Sequence, residues 1–450
     1  MSGLFTSLAV MMSPRGLEAV GNGAGSGGTA FLAVLALAAF AAICTSRNLE
    51  SIGKGRFRAT PADTFVFGFL DAARLFTLTL MAVSWLGIAG YAVNEIFFVW
   101  FPNLGASYVL LGLVVVSCII ADENGMDVFT ICLTLAFCAF IYVMVMSSQP
   151  ADLGTGYPTV LPALLPMDVP ETLLASGAAG WLHLLFLGVF AFVGFDLPLA
   201  FENRAGRCVP SVLLGFVAFA VFSWVALLLV PAEKLAESTV PHLLVAREGL
   251  GELGRYLVGG TVVLVTVSGL LAFFMVAGKR IETVLAEDYR AHSTKGAAVL
   301  LAMVVALLLA SGWAGEDALE SLLSAGLCFW FGTYALADLL HLIGVRRAGG
   351  GILSLLSGLP VMLVHGGAAA FCSLHIQFPA HFYYSLGGMA VAGLVFGAGW
   401  FVKDRPLREE LALAAAAAEE LMLEQEERDL ELEEAVPDTE DESLKIVDYK

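Results

Sequence analysis

FAFVGFDLPLAFENRAGRCVP, residues 190–210, is the stretch that determines the fold of this chain. It contains one carboxylate, Asp196, in an apolar run between Gly194 and Pro198. Glycine is conformationally free and proline lacks a backbone N–H, so a helix is expected to break here. An ionisable group at the centre of a membrane helix costs about 2.5–3.5 kcal/mol and usually has a function. The stretch therefore predicts an apolar helix interrupted around a carboxylate.

A second interruption lies near the start of the chain. SLAVMMSPRGLEAVGNG, residues 7–23, places Ser13-Pro14 and then a glycine run inside an apolar stretch. Transporters often carry discontinuous helices at matching positions of two inverted repeats. The two interrupted stretches are the first and sixth apolar segments, which are corresponding members of two five-helix repeats.

The whole chain reads as a polytopic α-helical membrane protein. Of its 450 residues, 58% are hydrophobic and 14% are charged, whereas a soluble domain has about 25% charged residues. An ordinary cytosolic enzyme, a disordered chain and a nucleic-acid binder are excluded. A spanning helix needs about 20 apolar residues. We predict twelve segments, at residues 3–20, 28–46, 65–99, 104–121, 126–147, 181–201, 209–230, 254–277, 297–313, 319–344, 353–373 and 382–402.

The loops between these segments predict the orientation. With the N-terminus inside, 15 Lys and Arg fall on the cytoplasmic side and four on the other side. Cytoplasmic loops are enriched in these residues. The sequence therefore predicts a multi-pass protein of the plasma (inner) membrane with both termini cytoplasmic. Two outer loops, at 147–180 and 231–253, are long enough to hold short surface helices.

The end of the chain differs from the rest. Residues 403–450 hold 17 Asp and Glu and six Lys and Arg, a net charge of −11 out of −18 for the chain. We predict a twelve-helix membrane domain over 1–402 and a partly helical, acidic cytoplasmic tail over 403–450. The tail is either a solvated end or a docking helix that regulates the inner loops.

Residues 190–210 resemble the sixth helix of the amino acid–polyamine–organocation (APC) superfamily permeases. Phe190, Phe192, Gly194, Phe195 and Asp196 match that pattern, with Asp in place of Glu. Four residues match its exit loosely, namely Glu202, Asn203, Arg207 and Pro210. Residues 7–23 are similar to the first helix of the glutamate/GABA antiporter-like branch.

The resemblance implies a LeuT-like fold, with 5+5 inverted repeats, two added helices and broken helices 1 and 6. It also implies secondary active transport of amino acids or polyamines by alternating access. Exchange of substrates is the expected mode. The alternatives are a proton- or sodium-coupled symporter of the same fold, or a non-transporting membrane scaffold that acts through its tail.

Seven residues are candidates for substrate binding. The resemblance places Phe190 and Phe192 at an aromatic gate, and an aromatic face can also hold an ammonium group. Free backbone N–H groups near a helix break can bind a carboxylate. The set predicted to bind substrate comprises Ser7, Ser13, Phe190, Phe192, Gly194, Phe195 and Asp196.

Four residues are candidates for gating or coupling. Asp196 can take a proton if it is buried, because burial disfavours the charged form. Asp71 and Arg74 are three apart and share a helix face, so they predict an internal ion pair or a gate. Asp338 lies near the inner end of segment 10 and is either a gate residue or a headgroup contact. His183 and His365, in apolar runs, are either structural or able to titrate near neutral pH.

The remaining features are mostly negative. No HExxH or GxSxG pattern lies in a span, so the sequence does not predict an enzyme. Seven cysteines show no CxxC pair, and no metal site or cofactor is predicted. Thr266 and Ser268 could supply oxygen ligands to sodium. The expected partners are a small-molecule substrate, the lipid bilayer and a second copy of the chain, without nucleic acid.

Overall fold

A computed structural model gives the fold of the chain. It describes residues 3–53, 61–97, 103–120, 123–147, 171–200, 208–284, 290–312, 317–347, 352–374, 376 and 378–403. The chain divides into two units, Met1–Trp400 and Phe401–Lys450. The predicted tail, apart from residue 403, and the predicted exit residues Glu202, Asn203 and Arg207 lie outside the described residues.

The described residues form fourteen α-helices. In chain order they are α1 Gly3–Met11, α2 Pro14–Gly27, α3 Ala30–Gly53, α4 Pro61–Phe97, α5 Asn103–Ile120, α6 Glu123–Ser147, α7 Glu171–Ala191, α8 Cys208–Leu229, α9 Ala232–Glu237, α10 Pro241–Val284, α11 Arg290–Ala310, α12 Asp317–Arg347, α13 Ile352–Leu374 and α14 Pro379–Lys403. Helices satisfy all their own backbone groups, which is what the hydrocarbon core of a membrane requires.

Most of these helices have the length and composition of membrane spans. Within the described residues seven are long and apolar enough to cross a bilayer, and four more form shorter apolar helices of 10–17 residues. The interrupted pair α1 and α2 supplies the remaining segment. The predicted twelve-segment, all-α polytopic class is confirmed.

The first segment breaks where Ser13-Pro14 predicts it. α1 ends at Met11, and Ser13 caps α2 by accepting a hydrogen bond from the backbone N–H of Gly16 at 3.3 Å. Pro14 occupies the first position of α2, where a missing N–H costs nothing. The break therefore comes from a local capping sequence.

The sixth segment breaks after Ala191. Turns follow over residues 192–196, and a short 3-10 helix covers Leu197–Ala200. Gly194 has φ +89, and a Cβ there would lie 2.6 Å from Val10 Cγ1. Only glycine combines this backbone with such a close approach to α1. The predicted interruption of the sixth segment is confirmed.

Two groups of helices surround the breaks. α1, α2, α3, α7 and α8 pack on one another, while α4, α5, α10 and α11 form a second group. α12 packs against α13, α3 and α4. The largest side chains buried between them include Trp85, Trp330 and Tyr334. We call the membrane side at which α1 begins and α14 ends the near face, and the opposite side the far face.

The described parts of the two long loops predicted to lie outside contain short helical pieces, as predicted. α9 and the first part of α10 lie between segments 7 and 8, with a kink at Gly251. α7 begins at Glu171 and kinks at Gly177 before its main run. These pieces place the far ends of α7 and α10 beside α2, whose Gly25 approaches the backbone of α9.

Candidate functional site

The two helix breaks lie against each other at the centre of the bundle. Ser7 Oγ, on α1, donates a hydrogen bond to the carbonyl oxygen of Phe195 at 3.0 Å. Around this contact the backbone bonds of the sixth segment run to the third preceding residue, as from Phe195 N to the Phe192 carbonyl at 3.1 Å. This pattern frees backbone groups that a continuous α-helix would occupy. Discontinuous helices that meet in this way are common in secondary transporters.

Asp196 binds an arginine from α4. Arg74 Nε lies 2.9 Å from Asp196 Oδ2, and Arg74 Nη2 forms an ion pair with the same oxygen. Arg74 Nη1 also donates to Asp71 Oδ1 at 3.1 Å, and Trp400 Nε1 donates to Asp71 Oδ2 at 3.3 Å. We call Asp71, Arg74 and Asp196 the buried triad. It joins α4 to the broken sixth segment.

The buried triad carries an excess of negative charge. Two carboxylates face one guanidinium, and Asp196 Oδ1 has no hydrogen-bond partner. All three residues are buried. Unpaired charge in a low-dielectric interior is costly. The triad can therefore bind a further cationic group or a proton.

A second polar cluster lies at the near ends of α3 and α12. Asp338 is fully buried and accepts hydrogen bonds from Thr45 Oγ1 at 2.9 Å and Asn48 Nδ2 at 2.8 Å. His365 Nδ1, on α13, lies 3.2 Å from Asp338 Oδ2. Tyr334 lies between the sixth segment and this polar cluster. Its ring centre is 5.1 Å from that of Phe195 and 5.2 Å from that of His365.

A third charged group lies in the far half, and sequence reasoning missed it. Arg15 donates to Ser84 Oγ at 2.6 Å and to Glu18 at 3.0 Å, and it forms an ion pair with Glu320 of α12. We call Arg15, Glu18 and Glu320 the far triad. The i,i+3 pair of Arg15 and Glu18 in an apolar segment was a signal for it, but its position beside Ser13-Pro14 made it look like a simple interruption.

Two cavities adjoin the far triad. One of about 160 Å³, which we call the far cavity, is lined by several side chains that include Arg15, Glu18, Asn22, Phe190 and Glu320. Another, of about 390 Å³, shares Arg15 and Glu18 and reaches α5. Near the buried triad, a cleft of about 20 Å³ lies beside Asp71 and Arg74. A water takes about 30 Å³ of liquid volume, so room for a small molecule exists in the far half.

The predicted substrate residues fall into different places. Phe190 lines the far cavity and stacks on Phe186 at 5.9 Å. Phe192 and Phe195 are buried, in ring contacts with Phe219 and Tyr334 respectively. The remaining four residues lie at the breaks. Ser7 connects the two breaks by its hydrogen bond to Phe195, and Ser13 caps α2. Gly194 allows the turn, and Asp196 belongs to the buried triad. One break thus separates Phe190 from Asp196.

The predicted gating residues Asp71, Arg74 and Asp338 lie between the helix breaks and the near face. Asp71 and Arg74 form the expected i,i+3 ion pair, and Asp338 bonds to Thr45, Asn48 and His365. Thr266 and Ser268 are buried on α10, and no described residue is a hydrogen-bond partner of either hydroxyl. Two positions apart on a helix, they do not share a face. The sodium ligands therefore stay a prediction.

Comparisons with known proteins agree with this architecture. The sequence matches no protein-family model and no curated protein. The structure is similar to MhsT solved in complex with L-phenylalanine, with TM-score 0.53, 14% identity and coverage of 83% of this chain and 97% of that chain. It is also similar to a point mutant of the Eremococcus coleocola manganese transporter, with TM-score 0.52, 12% identity and coverage of 90% of this chain and 94% of that chain. The chain therefore has the LeuT fold.

Proposed function

We propose that the protein is a secondary transporter that exchanges amino acids or polyamines by alternating access. The observation that carries this proposal is the position of the two helix breaks. They lie between a charged cavity in the far half and a buried polar layer in the near half. A membrane protein with this division can take up a solute from one face while the other face is closed.

The far cavity suits a molecule with both charges. Arg15 can bind a carboxylate by two parallel hydrogen bonds, while Glu18 and Glu320 can accept from an ammonium group. Phe190 and Phe186 supply an aromatic wall, and an aromatic face also attracts cations. An amino acid matches this set, and a polyamine matches the two carboxylates. MhsT, the similar structure, was solved with L-phenylalanine, which favours the amino acid.

Closure on the near face would depend on the residues below the breaks. The buried triad holds the sixth segment to α4, and Asp338 holds α12 to α3. A bound ammonium group near Asp196 would compete with Arg74 for the carboxylate and loosen this layer. In this scheme substrate occupancy opens the near face, which gives exchange as the basic mode.

The setting of the transporter follows from the sequence. We infer that the near face is cytoplasmic, because the sequence assigns 15 of the loop Lys and Arg to that side. The membrane domain over 1–402, the acidic cytoplasmic tail over 403–450, the plasma-membrane location and a homodimer complete the proposal. The matches at residues 190–196 support a place among the APC superfamily permeases.

Counterflow in proteoliposomes tests the function. Vesicles holding the full chain are preloaded with a mixture of unlabelled amino acids and polyamines, and uptake of each labelled compound is followed. We expect uptake of at least one compound that depends on internal substrate and is lost in Asp196→Ala. Asp317→Ala, at an exposed carboxylate on α12, is the matched control and should retain uptake.

The result that contradicts the proposal is also defined. Folded wild-type protein in vesicles that takes up no compound above empty vesicles would overturn exchange of these substrates. Binding of partners by the tail alone would then favour the scaffold. Uptake that requires a sodium or pH gradient would instead favour a symporter of the same fold.

A further inference from the structure

Asp338 is a buried carboxylate whose charge has no fixed counterion. It is fully buried. Its hydrogen-bond donors are two neutral side chains, Thr45 and Asn48, and the His365 ring. Within the described part of the chain, Asp338 forms no ion pair with Lys or Arg; its ion-pair partner is His365. In this it differs from Asp196, which forms an ion pair with Arg74.

The charge of the cluster therefore depends on one proton. An ionised Asp338 beside a neutral His365 would leave a buried, uncompensated negative charge, which is costly in a low-dielectric interior. One added proton makes the pair neutral, either as aspartate with imidazolium or as aspartic acid with imidazole. His365 Nδ1 lies 3.2 Å from Asp338 Oδ2, so the two share that proton directly. His365 is buried as well, so water does not screen the pair.

The neighbouring groups do not replace this proton. Arg47 on α3 is exposed and pairs with Asp338 in no described contact. On the same helix the half-buried Cys44 faces both Arg47 and Asp338. Arg74 on α4 is engaged by Asp71 and Asp196. Among the described residues, the other titratable groups that face the cluster or α13 are Tyr334, His341 and Cys328 on α12 and His183 on α7, and none of them is a Lys, Arg or carboxylate.

The cluster also joins two parts of the bundle. Thr45 and Asn48 lie on α3, which packs with the broken helices, whereas Asp338 and His365 lie on α12 and α13. Separation of α3 from α12 at the near face would remove both neutral donors and admit water to Asp338. Water would then stabilise the ionised Asp338 carboxylate, so the cluster could lose its proton.

We propose that Asp338 and His365 form a proton-binding site that closes the near face. This inference rests on the proposed transport function. It adds that a proton controls the opening of the near face. In the closed state the pair holds one proton between Asp338 Oδ2 and His365 Nδ1. On opening, the proton passes to near-face water and leaves aspartate and neutral imidazole. Closing takes one proton back.

The linkage fixes the direction of the pH effect. The closed state binds one proton more than the open state, so acid favours closure and alkali favours opening. One proton per event changes the opening equilibrium by about tenfold per pH unit across the titration range. Exchange limited by near-face opening should therefore slow as the pH falls.

The test compares pH profiles of variants. Counterflow is measured with the labelled amino acid or polyamine that wild-type protein exchanges fastest, at equal pH on both sides. Asp338→Asn mimics the protonated acid and leaves no buried charge, so we expect it to exchange with a flat pH profile. His365→Asn keeps an amide donor but leaves Asp338 able to take the proton alone, so its pH profile should shift without becoming flat. His183→Asn changes another histidine of the same region and should keep the wild-type profile.

A measurement without substrate separates this inference from the proposed function. Thermal unfolding of the purified full chain in detergent is followed against pH. Raising the pH strips the proton from the folded pair and leaves a buried charge, so the wild-type unfolding temperature should fall, whereas that of Asp338→Asn should not. The proton site is overturned if Asp338→Asn shows the same pH dependence as the wild-type protein, both in exchange and in unfolding temperature. Absence of exchange with a pH-dependent unfolding curve overturns transport but retains the site.

Discussion

The buried triad and the far triad have the same chemistry in different surroundings. Each sets one arginine between two carboxylates, and each combines an i,i+3 pair with an acid from another segment. In the buried triad the side chains of Asp71, Arg74 and Asp196 are 5%, 4% and 0% exposed. In the far triad, Glu320 is 45% exposed. Burial, and not composition, therefore separates the two.

This difference assigns different roles. An exposed ion pair contributes about 0–1 kcal/mol, because water and salt screen it. Removing one partner of a buried pair costs about 3–5 kcal/mol, because the other charge stays unpaired. In the far triad Arg15 and Glu18 are 19% and 11% exposed, so it is the Arg15–Glu320 pair that can form and break at low cost. The buried triad holds α4 to the sixth segment until another group replaces one of its partners.

The largest expected effect is that of Asp196→Ala. It removes two charge-assisted bonds from Arg74 to the sixth segment and leaves Arg74 paired with Asp71 alone. We expect a loss of about 1.5–3 kcal/mol of folding stability for each lost bond, together with loss of exchange. Glu320→Ala should lose under about 1 kcal/mol. Thermal unfolding in detergent compares the two.

Asp71→Asn sharpens the same comparison. It leaves Arg74 and Asp196 as a neutral pair, so its loss of stability should be clearly smaller than that of Asp196→Ala. Equal losses in Asp196→Ala and Glu320→Ala would show that burial does not distinguish the triads.

The next effect concerns the turn that places Asp196 in the buried triad. Gly194 has φ +89 and lies close to Val10, so Gly194→Ala adds backbone strain of about 1–3 kcal/mol and overpacking of a similar size. Gly177 also has positive φ, but open space surrounds it. Gly177→Ala should therefore show the strain alone. Unfolding temperatures and counterflow rates of both variants measure the difference, and equal effects would exclude the contact with α1 as a constraint.

A smaller effect is expected at the far triad. Arg15→Gln removes a charge from the cavity but leaves an amide, and a charge-assisted hydrogen bond contributes about 1.5–3 kcal/mol. We expect the substrate concentration for half-maximal exchange to rise by about tenfold or more, with some loss of stability because the buried Glu18 loses its ion-pair partner. Arg247→Gln, at an exposed arginine on α10, is the control. An unchanged half-maximal concentration in Arg15→Gln would remove the far triad from the substrate path.

The sequence alone could predict the fold because its signals are local. Long apolar segments, the Ser13-Pro14 cap and the Gly194 turn each act within a few residues of their own position. The triads could not be predicted in the same way. Arg74 meets Asp196 across 122 positions and Arg15 meets Glu320 across 305, so only the packing of helices brings them together.

Residues 190–196 show the same limit within one motif. The family resemblance groups Phe190 with Asp196 as substrate residues. The turn at Gly194 directs the chain so that Phe190 lines the far cavity while Asp196 lies in the buried triad. The motif therefore marks the interrupted segment, but the backbone conformation decides in which half of the molecule each side chain lies.

The smallest effect is expected from the buried hydroxyls of α10. Thr266 and Ser268 have no partners, so Thr266→Val and Ser268→Ala should change stability little, because an unsatisfied buried polar group contributes nothing favourable. Thr45→Val, which removes a donor to Asp338, is the matched comparison and should cost about 1.5–3 kcal/mol. Exchange should also persist when choline replaces sodium, since the two hydroxyls face different directions. The opposite outcome is that exchange stops without sodium and that Thr266→Val lowers exchange in the presence of sodium. That result would place a coupling cation at α10.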